Sequence, residues 1–333
     1  MSSADTTAAA VPELSEALVI PSPGEVELRE LPTPTPEAGQ ALIEVAYSGV
    51  SFGTELWAAS GKFDGFGPMP FVTGYQAVGR VVAANGDGGE ISVGDVVACF
   101  AVGSHRRYVA TDFSLMHRLN DDTPRDQASL FVQPSVGANA LNKARVSAGD
   151  TVLVIGQGLV GQTTALQARL KGALVIGTDV SPERLAISKE HCVDLSIDAS
   201  VAPPSEQLQS QFPEGVDIVI ESTGFVHLVD DAMKCVRAGG LFVFEGFYPD
   251  GLSFDYSVPH GKQIRAAFPS FIGDHPVREG VLRLMENGHL DLSKLISDIV
   301  PSSEAAHFYK RLFTSDRDRI NGVVLDWTAA NEW

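Results

Sequence analysis

Short apolar stretches separated by turns rich in glycine and proline fill the first part of the chain. They predict a strand pair at 16–20 and 25–30, followed by strands at 41–50, 78–83, 95–102 and 107–110. Each proline of segment 31–39 removes a backbone donor, so this segment is predicted to be a surface connection. We therefore expect a first domain that is mostly β.

After about residue 150 the pattern changes to strands alternating with helices, which is typical of parallel βαβ units. Six such strands with interleaved helices predict a doubly wound sheet. The later helices at 277–286 and 304–313 and the strand at 322–327 fall outside it and are assigned to the first domain. The predicted strands are 151–155, 174–179, 195–198, 217–221, 241–245 and 264–268, and the predicted helices between them include 162–170, 182–190 and 226–237.

Composition fits this plan of two domains. The 333 residues are 44% hydrophobic and 20% charged, which excludes disorder of the whole chain and, at about 150 residues per domain, indicates two domains. We place a flexible leader at 1–12, the β-rich domain at 13–130 and 271–333, and the doubly wound domain at 131–270.

Charge and targeting signals narrow the partners and the compartment. The 24 basic and 42 acidic side chains give a net charge of −18, so nucleic acid and anionic membrane surfaces are not expected as partners. No apolar run reaches the about 18 residues of a membrane span, and the first residues lack a signal-peptide pattern. Three separated cysteines predict buried free thiols. We expect a soluble cytoplasmic protein.

A Gly-x-Gly-x-x-Gly motif lies between the first predicted strand of the second domain and a helix. In this context Gly156 permits the tight turn, Gly158 lets the backbone approach a diphosphate, and Gly161 lets the helix pack closely. The N-terminus of the helix then supplies N–H groups to the diphosphate. The motif predicts a dinucleotide site.

Asp179, at the end of the next strand, predicts which dinucleotide binds. Its carboxylate accepts hydrogen bonds from ribose hydroxyls and repels a 2′-phosphate, so NAD is favoured over NADP. Arg184, one helical turn on, is either a phosphate ligand or a solvated surface residue. Turns at the ends of later strands are candidate ligand contacts or ordinary turns. The predicted cofactor-binding residues are Gly156, Gln157, Gly158, Leu159, Val160, Gly161, Asp179, Arg184, Thr223, Gly224 and Gly246.

Local stretches at 48–56, 74–79, 93–97, 148–156 and 216–224 resemble the medium-chain dehydrogenase/reductase superfamily, and the resemblance covers about 15–328. It implies an α/β protein with a GroES-like β-rich catalytic domain and a Rossmann domain with a six-stranded parallel sheet, with the active site in the cleft between them. The stretch 216–224 is most similar to the alcohol and polyol dehydrogenase branch.

That branch carries a catalytic zinc, and this chain departs from it at the three ligand positions. Phe52 stands in place of a cysteine, Tyr75 in place of a histidine, and Gln133 in place of a cysteine or glutamate. Zinc prefers thiolate, imidazole and carboxylate ligands, so we predict no metal.

Without zinc, other groups must remove the hydroxyl proton and stabilise charge on the reacting oxygen. Thr54 matches the family's proton-relay position, and Tyr75 would extend into the position of the metal as a hydrogen-bond donor. Glu55 and Gln76 lie beside them in sequence and would orient them or pass a proton to water. Tyr75 as a packed core aromatic and Glu55 as a structural acceptor remain alternatives.

The sequence allows three functions, of which Gly156, Gly158 and Asp179 favour the first. The first is zinc-independent, NAD-dependent oxidation of a secondary alcohol, such as a polyol, cyclitol or sugar-like substrate, to the ketone. The others are NAD(P)H-dependent reduction of a quinone or enone, and dinucleotide binding without catalysis. Phe52, Trp57 and Gln133 are predicted to contact the small-molecule substrate. The family resemblance implies a homodimer or homotetramer.

Overall fold

A computed structural model describes residues 11–269 and 271–328. The chain divides into two compact units. Unit 1 comprises residues 1–130, 299–314 and 323–333, and unit 2 comprises 131–298 and 315–322, each within the described ranges. No helix in the part of the chain that the structure describes has both the length and the apolarity of a membrane span.

Strands dominate the early part of the chain, and strands alternate with helices afterwards. In chain order the elements are β1 (Leu14–Ile20), β2 (Glu27–Pro32), β3 (Gln40–Val50), α1 (Phe52–Ala59), β4 (Phe71–Val72), β5 (Gln76–Asn85), β6 (Val96–Phe100), β7 (Tyr108–Asp112), β8 (Met116–Arg118), α2 (Arg125–Ala128), α3 (Val132–Ala144), β9 (Thr151–Ile155), α4 (Leu159–Leu170), β10 (Leu174–Asp179), α5 (Pro182–His191), β11 (Leu195–Asp198), α6 (Pro204–Leu208), β12 (Val216–Glu221), α7 (Val226–Cys235), β13 (Val236–Phe244), α8 (Ser257–Lys262), β14 (Arg265–Ala267), α9 (His275–Glu286), β15 (Ile296–Pro301), α10 (Ala305–Leu312) and β16 (Gly322–Asp326).

Unit 1 is built on two sheets. The larger sheet has the order β15-β16-β3-β5-β6-β8, with β7 also paired to β3, and the smaller has the order β2-β1-β4. The long strand β3 pairs antiparallel with β5, β7 and β16, so it lies at the centre of the larger sheet. Ile43, Val45 and Ala77 are fully buried there. This is the β-rich domain that the sequence predicts.

Unit 2 contains one parallel sheet in the order β11-β10-β9-β12-β13-β14. This is the strand order of a doubly wound dinucleotide-binding fold. Val152, Leu153 and Val154 of β9 are fully buried, because helices cover both faces of a parallel sheet. The predicted fold class is confirmed, including the number of strands.

One helix boundary was wrong. The sequence predicts a helix over 226–237 that stops at the following glycines, but α7 ends at Cys235 and β13 begins at Val236. Gly239 has a φ of +69° inside this strand, and the register between β12 and β13 shifts between Val216 and Ile218. The glycines therefore form a bulge in a strand, since they tolerate its backbone conformation.

The structure also divides the C-terminal region differently from the sequence-based boundaries. Residues 271–298 and 315–322 belong to unit 2, whereas the prediction assigns all of 271–333 to the β-rich domain. Hydrogen bonds within unit 2 hold these segments: Asn139 donates to the carbonyl of Phe271 at 3.2 Å, and Asn321 donates to Gln162 Oε1 at 2.7 Å. The first ten residues of the predicted leader lie outside the described residues.

Candidate active site

In the glycine turn after β9, two glycines are closely packed and the one between them faces open space. Gly156 has a φ of +90°, and a Cβ there would lie 2.6 Å from Thr223 Cγ2. A Cβ on Gly161 would lie 1.9 Å from the carbonyl oxygen of Gly156, so α4 packs directly against the turn. At Gly158, by contrast, nothing lies within 4 Å of the position a Cβ would take. Only glycine fits at positions 156 and 161, whereas the position of Gly158 is open to a ligand.

The first turn of α4 directs backbone donors to this open position. Gly158 caps the helix without a side-chain hydrogen bond, and the first N–H groups of a helix have no intrahelical acceptor. Leu159 and Val160, which carry these groups, are only partly buried. Such N–H groups, together with the helix dipole, bind phosphate. The turn therefore fits the diphosphate of a dinucleotide.

Asp179 ties this turn to the end of β10. Its Oδ2 accepts from the backbone N–H of Gln157 at 2.7 Å, and its Oδ1 accepts from Val180 at 2.8 Å and Ser181 at 2.9 Å. Three of the about four lone-pair sites of the carboxylate are used here, so Oδ2 retains capacity for a ribose hydroxyl.

The side chain of Gln157 is fully buried, whereas that of Arg184 is only partly buried. The Gln157 amide donates to the carbonyls of Val154 and Gly156 and accepts from Ser188. It therefore supports the turn from inside, and only its backbone is on the ligand side. Arg184 is partly buried on α5, and its Nε has no hydrogen-bond partner among the described residues.

The turns after β12 and β13 pack against each other around Glu221. This fully buried carboxylate accepts from the N–H groups of Thr223 at 2.8 Å and Gly224 at 3.0 Å, and from the hydroxyls of Thr223 and Tyr248. A Cβ on Gly246 would lie 2.4 Å from the nitrogen of Gly224. Thr223, Gly224 and Gly246 thus form one braced edge of the sheet in unit 2.

In unit 1, the carboxylate of Glu55 is buried in the first turn of α1 and is 1% exposed. Oε1 accepts from the backbone N–H of Ser51 at 2.7 Å. Oε2 accepts from the hydroxyls of Thr73, at 2.9 Å, and Tyr309. Burial alone would raise the pKa of Glu55, but the charge of His105 and these hydrogen bonds outweigh it and hold the pKa below its ordinary value.

His105 extends this network toward the C-terminal segment of unit 1. Its Nε2 lies 3.1 Å from Glu55 Oε2, and its Nδ1 lies 2.8 Å from Ser48 Oγ. Trp327 Nε1, which can only donate, also binds Ser48 Oγ at 2.8 Å. Gly74 has a φ of +85°, and a Cβ there would lie 2.5 Å from the His105 ring, so only glycine lets the ring pack at this point.

Thr54 and Tyr75 come together beside this network. Burial raises the pKa of Tyr75 above its ordinary value and outweighs the side chains of Ser51 and Thr54, which lie close enough to the Tyr75 hydroxyl to oppose this rise. The phenol is therefore neutral and suited to donating a hydrogen bond. Its ring stacks on Phe66 at 6.3 Å and contacts Phe100 at 5.7 Å between centroids. Tyr75 and Thr54 are both partly exposed.

The remaining predicted residues are distributed more widely. Gln76 is fully buried and donates to the carbonyl of Gly49 at 3.2 Å, so its side chain braces β3 and β5. Phe52 and Trp57 are partly buried on α1, in the same helix as Thr54. Gln133 is buried in the first turn of α3, in unit 2.

Sequence reasoning missed most of the Glu55 network. His105 was one of eight scattered histidines, and Tyr309 lies 254 positions from Glu55 along the chain. An acidic residue at the start of a short apolar helix was the available signal, because such a carboxylate needs donors from elsewhere in the fold. The missed residues are Ser48, Thr73, His105, Tyr309 and Trp327.

The side chains at the three positions where the family resemblance places zinc ligands lack the donor groups that zinc prefers. Phe52 has no donor atom, Tyr75 is a neutral phenol, and Gln133 offers an amide. Within the described residues, no group of three or more His, Cys, Asp or Glu side chains is arranged to hold a metal.

The three cysteines are free and buried as predicted, and burial raises the pKa of each thiol to about 12.

The chain matches two protein families along its length. Residues 37–121 match the alcohol dehydrogenase GroES-like domain, and residues 160–287 match the zinc-binding dehydrogenase family. The chain is 27% identical to L-galactonate-5-dehydrogenase of Escherichia coli K12 over 92% of this chain and 98% of that protein.

Solved structures share the fold. One, from Sinorhizobium meliloti 1021, is described as a zinc-binding dehydrogenase and is bound to NADP; it has a TM-score of 0.85 and 20% identity over 95% of this chain and 100% of that one. Another, a short chain alcohol dehydrogenase from Escherichia coli CFT073 complexed with NADH, has a TM-score of 0.84 and 19% identity over the same shares of the two chains.

The buried carboxylate generates a stability prediction. Glu55→Gln replaces one acceptor oxygen by an amide nitrogen, so either the Ser51 N–H group or the hydroxyls of Thr73 and Tyr309 lose their acceptor, and the charge beside His105 is removed. We expect the free energy of unfolding near pH 7 to fall by about 3–5 kcal/mol. Because the pKa of Glu55 is lowered in the folded protein, its stabilisation is present above the unfolded-state pKa and is lost as the pH falls through the folded-state value.

Urea unfolding of the parent and the variant at about pH 7 and about pH 4 measures this difference. The exposed Glu37→Gln variant is the matched control and should unfold like the parent protein. An equal loss of stability at both pH values for Glu55→Gln would contradict the assigned role of the carboxylate.

Proposed function

Because the chain belongs to the medium-chain dehydrogenase/reductase superfamily, we propose that it oxidises a secondary alcohol to the ketone with NAD and without zinc. It is a dehydrogenase that acts on alcohols with a nicotinamide dinucleotide. The proposed substrates are polyols, cyclitols or sugar-like alcohols, in line with the sugar-acid relative.

The observation that carries the zinc-free proposal is the pair of hydroxyls on Thr54 and Tyr75. Both residues are partly exposed, the Thr54 side chain lies near the Tyr75 hydroxyl, and burial keeps Tyr75 neutral. Donors directed at an oxygen on which negative charge develops lower the barrier without a metal. In this mechanism Tyr75 donates to the substrate oxygen, and Thr54, which both donates and accepts, passes the hydroxyl proton onward.

The two units supply different parts of this chemistry. The dinucleotide, when bound, accepts the hydride. In unit 2 the first turn of α4 holds its diphosphate, and Asp179 accepts from its ribose hydroxyls. In unit 1 the Glu55 carboxylate holds Ser51 through its N–H group, and Ser51 in turn contacts the Tyr75 hydroxyl. Glu55 is therefore a positioning residue in this proposal.

We also propose a homodimer or homotetramer. β14 ends the sheet order of unit 2, so one of its edges has no strand partner among the described residues. Phe268, directly after β14, and Phe271 are both more than 60% exposed. Uncovered strand edges and exposed aromatic rings favour association. A mass of 35.4 kDa by light scattering, that of a single chain, would contradict it.

The substrate class is tested with a panel. We expect purified protein to reduce NAD with polyols or cyclitols, measured by absorbance of the reduced nicotinamide. Quinones and enones are assayed in parallel by oxidation of NADH and NADPH. Quinone turnover that prefers NADPH would contradict the proposal, and nucleotide binding without any turnover would identify a sensor instead.

Tyr75→Phe removes the proposed donor and keeps the stacked ring. We expect kcat to fall roughly 10²-fold, because one donor to the developing oxyanion is lost. The affinity for the dinucleotide should stay unchanged in equilibrium titrations. Tyr108→Phe, another partly buried tyrosine of unit 1, is the matched control. Unchanged kcat in Tyr75→Phe would remove this residue from the mechanism.

Asp179→Ala tests the cofactor preference. We expect the Kd for NAD to rise by roughly tenfold or more, since hydrogen bonds to a charged acceptor are lost. The Kd for NADP should change less or improve, because a negative charge beside the 2′-position is removed. Fluorescence titrations with both nucleotides measure the ratio of the Kd for NAD to the Kd for NADP. The exposed Asp230→Ala variant is the control. If the ratio stays constant, Asp179 does not set the preference.

A further inference from the structure

Glu245, the residue directly after β13, is a buried carboxyl that the proposed mechanism does not use. It is 8% exposed, and its Oε1 accepts from the hydroxyl of Thr164 on α4 at 2.9 Å. Its Oε2 is buried and has no hydrogen-bond partner among the described residues. A polar atom in that state is costly for the folded protein, which indicates a role other than packing.

The position of Glu245 in the sheet relates it to a bound dinucleotide. Doubly wound sheets hold a dinucleotide along the carboxyl ends of their strands, one nucleotide on each half. β9 and β10 carry the glycine turn and Asp179 for the adenosine half. β12 and β13 lie in the other half, which leaves their carboxyl ends for the nicotinamide half. Glu245 is at that end of β13, next to the braced turn of Gly224 and Gly246.

The charges around Glu245 come mainly from one neighbour. Glu221, on β12, is fully buried, and the backbone N–H of Glu245 donates to its carbonyl at 2.9 Å. The pKa of Glu245 is raised to about 8: burial raises it most, the Thr164 hydrogen bond opposes this rise, and the Glu221 charge adds to it. The carboxyl is therefore largely protonated at neutral pH. Burial likewise raises the pKa of Tyr248, which donates to Glu221.

His227, an exposed residue in the first turn of α7, lies at the same edge of the sheet as Glu245, whereas Lys234 of α7 and Lys262 of α8 are in the last turns of their helices. Further charged groups lie at the opposite edge of the sheet. Those on strands are the first or second residue of the strand, and those on α3 and α4 are exposed residues in the last turn of the helix. They are Asp217 of β12, Arg237 of β13, Arg265 of β14, Arg169 of α4 and Lys143 of α3.

We propose that Glu245 senses the redox state of the nicotinamide: it gives up its proton when the oxidised dinucleotide binds and keeps it when the reduced dinucleotide binds. This inference rests on the proposed dinucleotide function. The oxidised ring carries one positive charge and the reduced ring carries none. A positive charge beside a buried neutral carboxyl favours its ionised form.

The proton balance of the whole reaction is unchanged. On binding of the oxidised dinucleotide, Glu245 loses a proton to solvent. When the ring receives a hydride, its charge disappears and Glu245 takes a proton back. The alcohol still yields a ketone, a reduced dinucleotide and one proton, and Glu245 changes only the relative affinity for the two redox forms.

Equilibrium binding to the full chain tests this inference. If the bound ring lowers the pKa of Glu245 by one unit, NAD⁺ binds roughly tenfold more tightly at about pH 9 than at about pH 6. NADH should show no such increase. In Glu245→Gln the pH dependence of NAD⁺ binding should disappear, whereas the exposed Glu214→Gln control should keep it. If NADP binds better, its two redox forms are used instead.

Proton release provides a second measurement that needs no variant. Calorimetry of NAD⁺ binding in buffers of different ionisation enthalpy should show release of about half a proton near pH 7.5 and none for NADH. Absence of proton release, or equal pH dependence in the parent protein and Glu245→Gln, would overturn the inference and leave the proposed function intact. Failure of both nucleotides to bind would overturn the inference together with the function.

Discussion

A carboxylate removed from water must find other donors, and the candidate site in unit 1 is organised around one that does so. Glu55 accepts hydrogen bonds from a backbone N–H and two hydroxyls, and a histidine ring lies against it. These four groups come from the residue before α1, from the segment before β5, from the segment before β7 and from α10. Satisfying this single charge therefore fixes four parts of unit 1 relative to one another. The hydroxyls of Thr54 and Tyr75 are held at the edge of that arrangement, and the proposed chemistry depends on their position.

Unit 2 uses carboxylates in the same way, but toward backbone N–H groups. Asp179 holds the residues of the glycine turn and the start of α5, and Glu221 holds the turn after β12. Each of these carboxylates lies at the end of a strand, where the chain leaves the sheet and backbone donors lose their ladder partners. Glu245 is different, because one of its oxygens has no donor among the described residues. This contrast separates a carboxyl suited to changing its protonation from those that hold the turns in place.

The parts of the protein that depend on local sequence could be predicted, and the parts that depend on distant contacts could not. Gly156 and Gly161 act through contacts within a few residues, so the motif indicated their environments directly. The six strands of unit 2 followed from runs of apolar residues. The Glu55 network joins residues from the start and the end of the chain, and no periodicity connects Glu55 with Tyr309. Gln157 and Gln76 lie at suitable positions in their motifs, but both side chains are buried and donate to nearby backbone carbonyls. A motif specifies where a residue lies along the backbone, whereas the direction of its side chain depends on partners that the fold supplies.

The central claim is that side-chain hydroxyls replace a metal at the reacting oxygen. Elemental analysis of the purified protein, combined with NAD reduction before and after prolonged dialysis against a strong chelator, tests it most directly. The account predicts far less than one zinc per chain and a turnover rate that dialysis does not change. One zinc per chain, whose removal abolishes turnover and whose return restores it, would contradict the account.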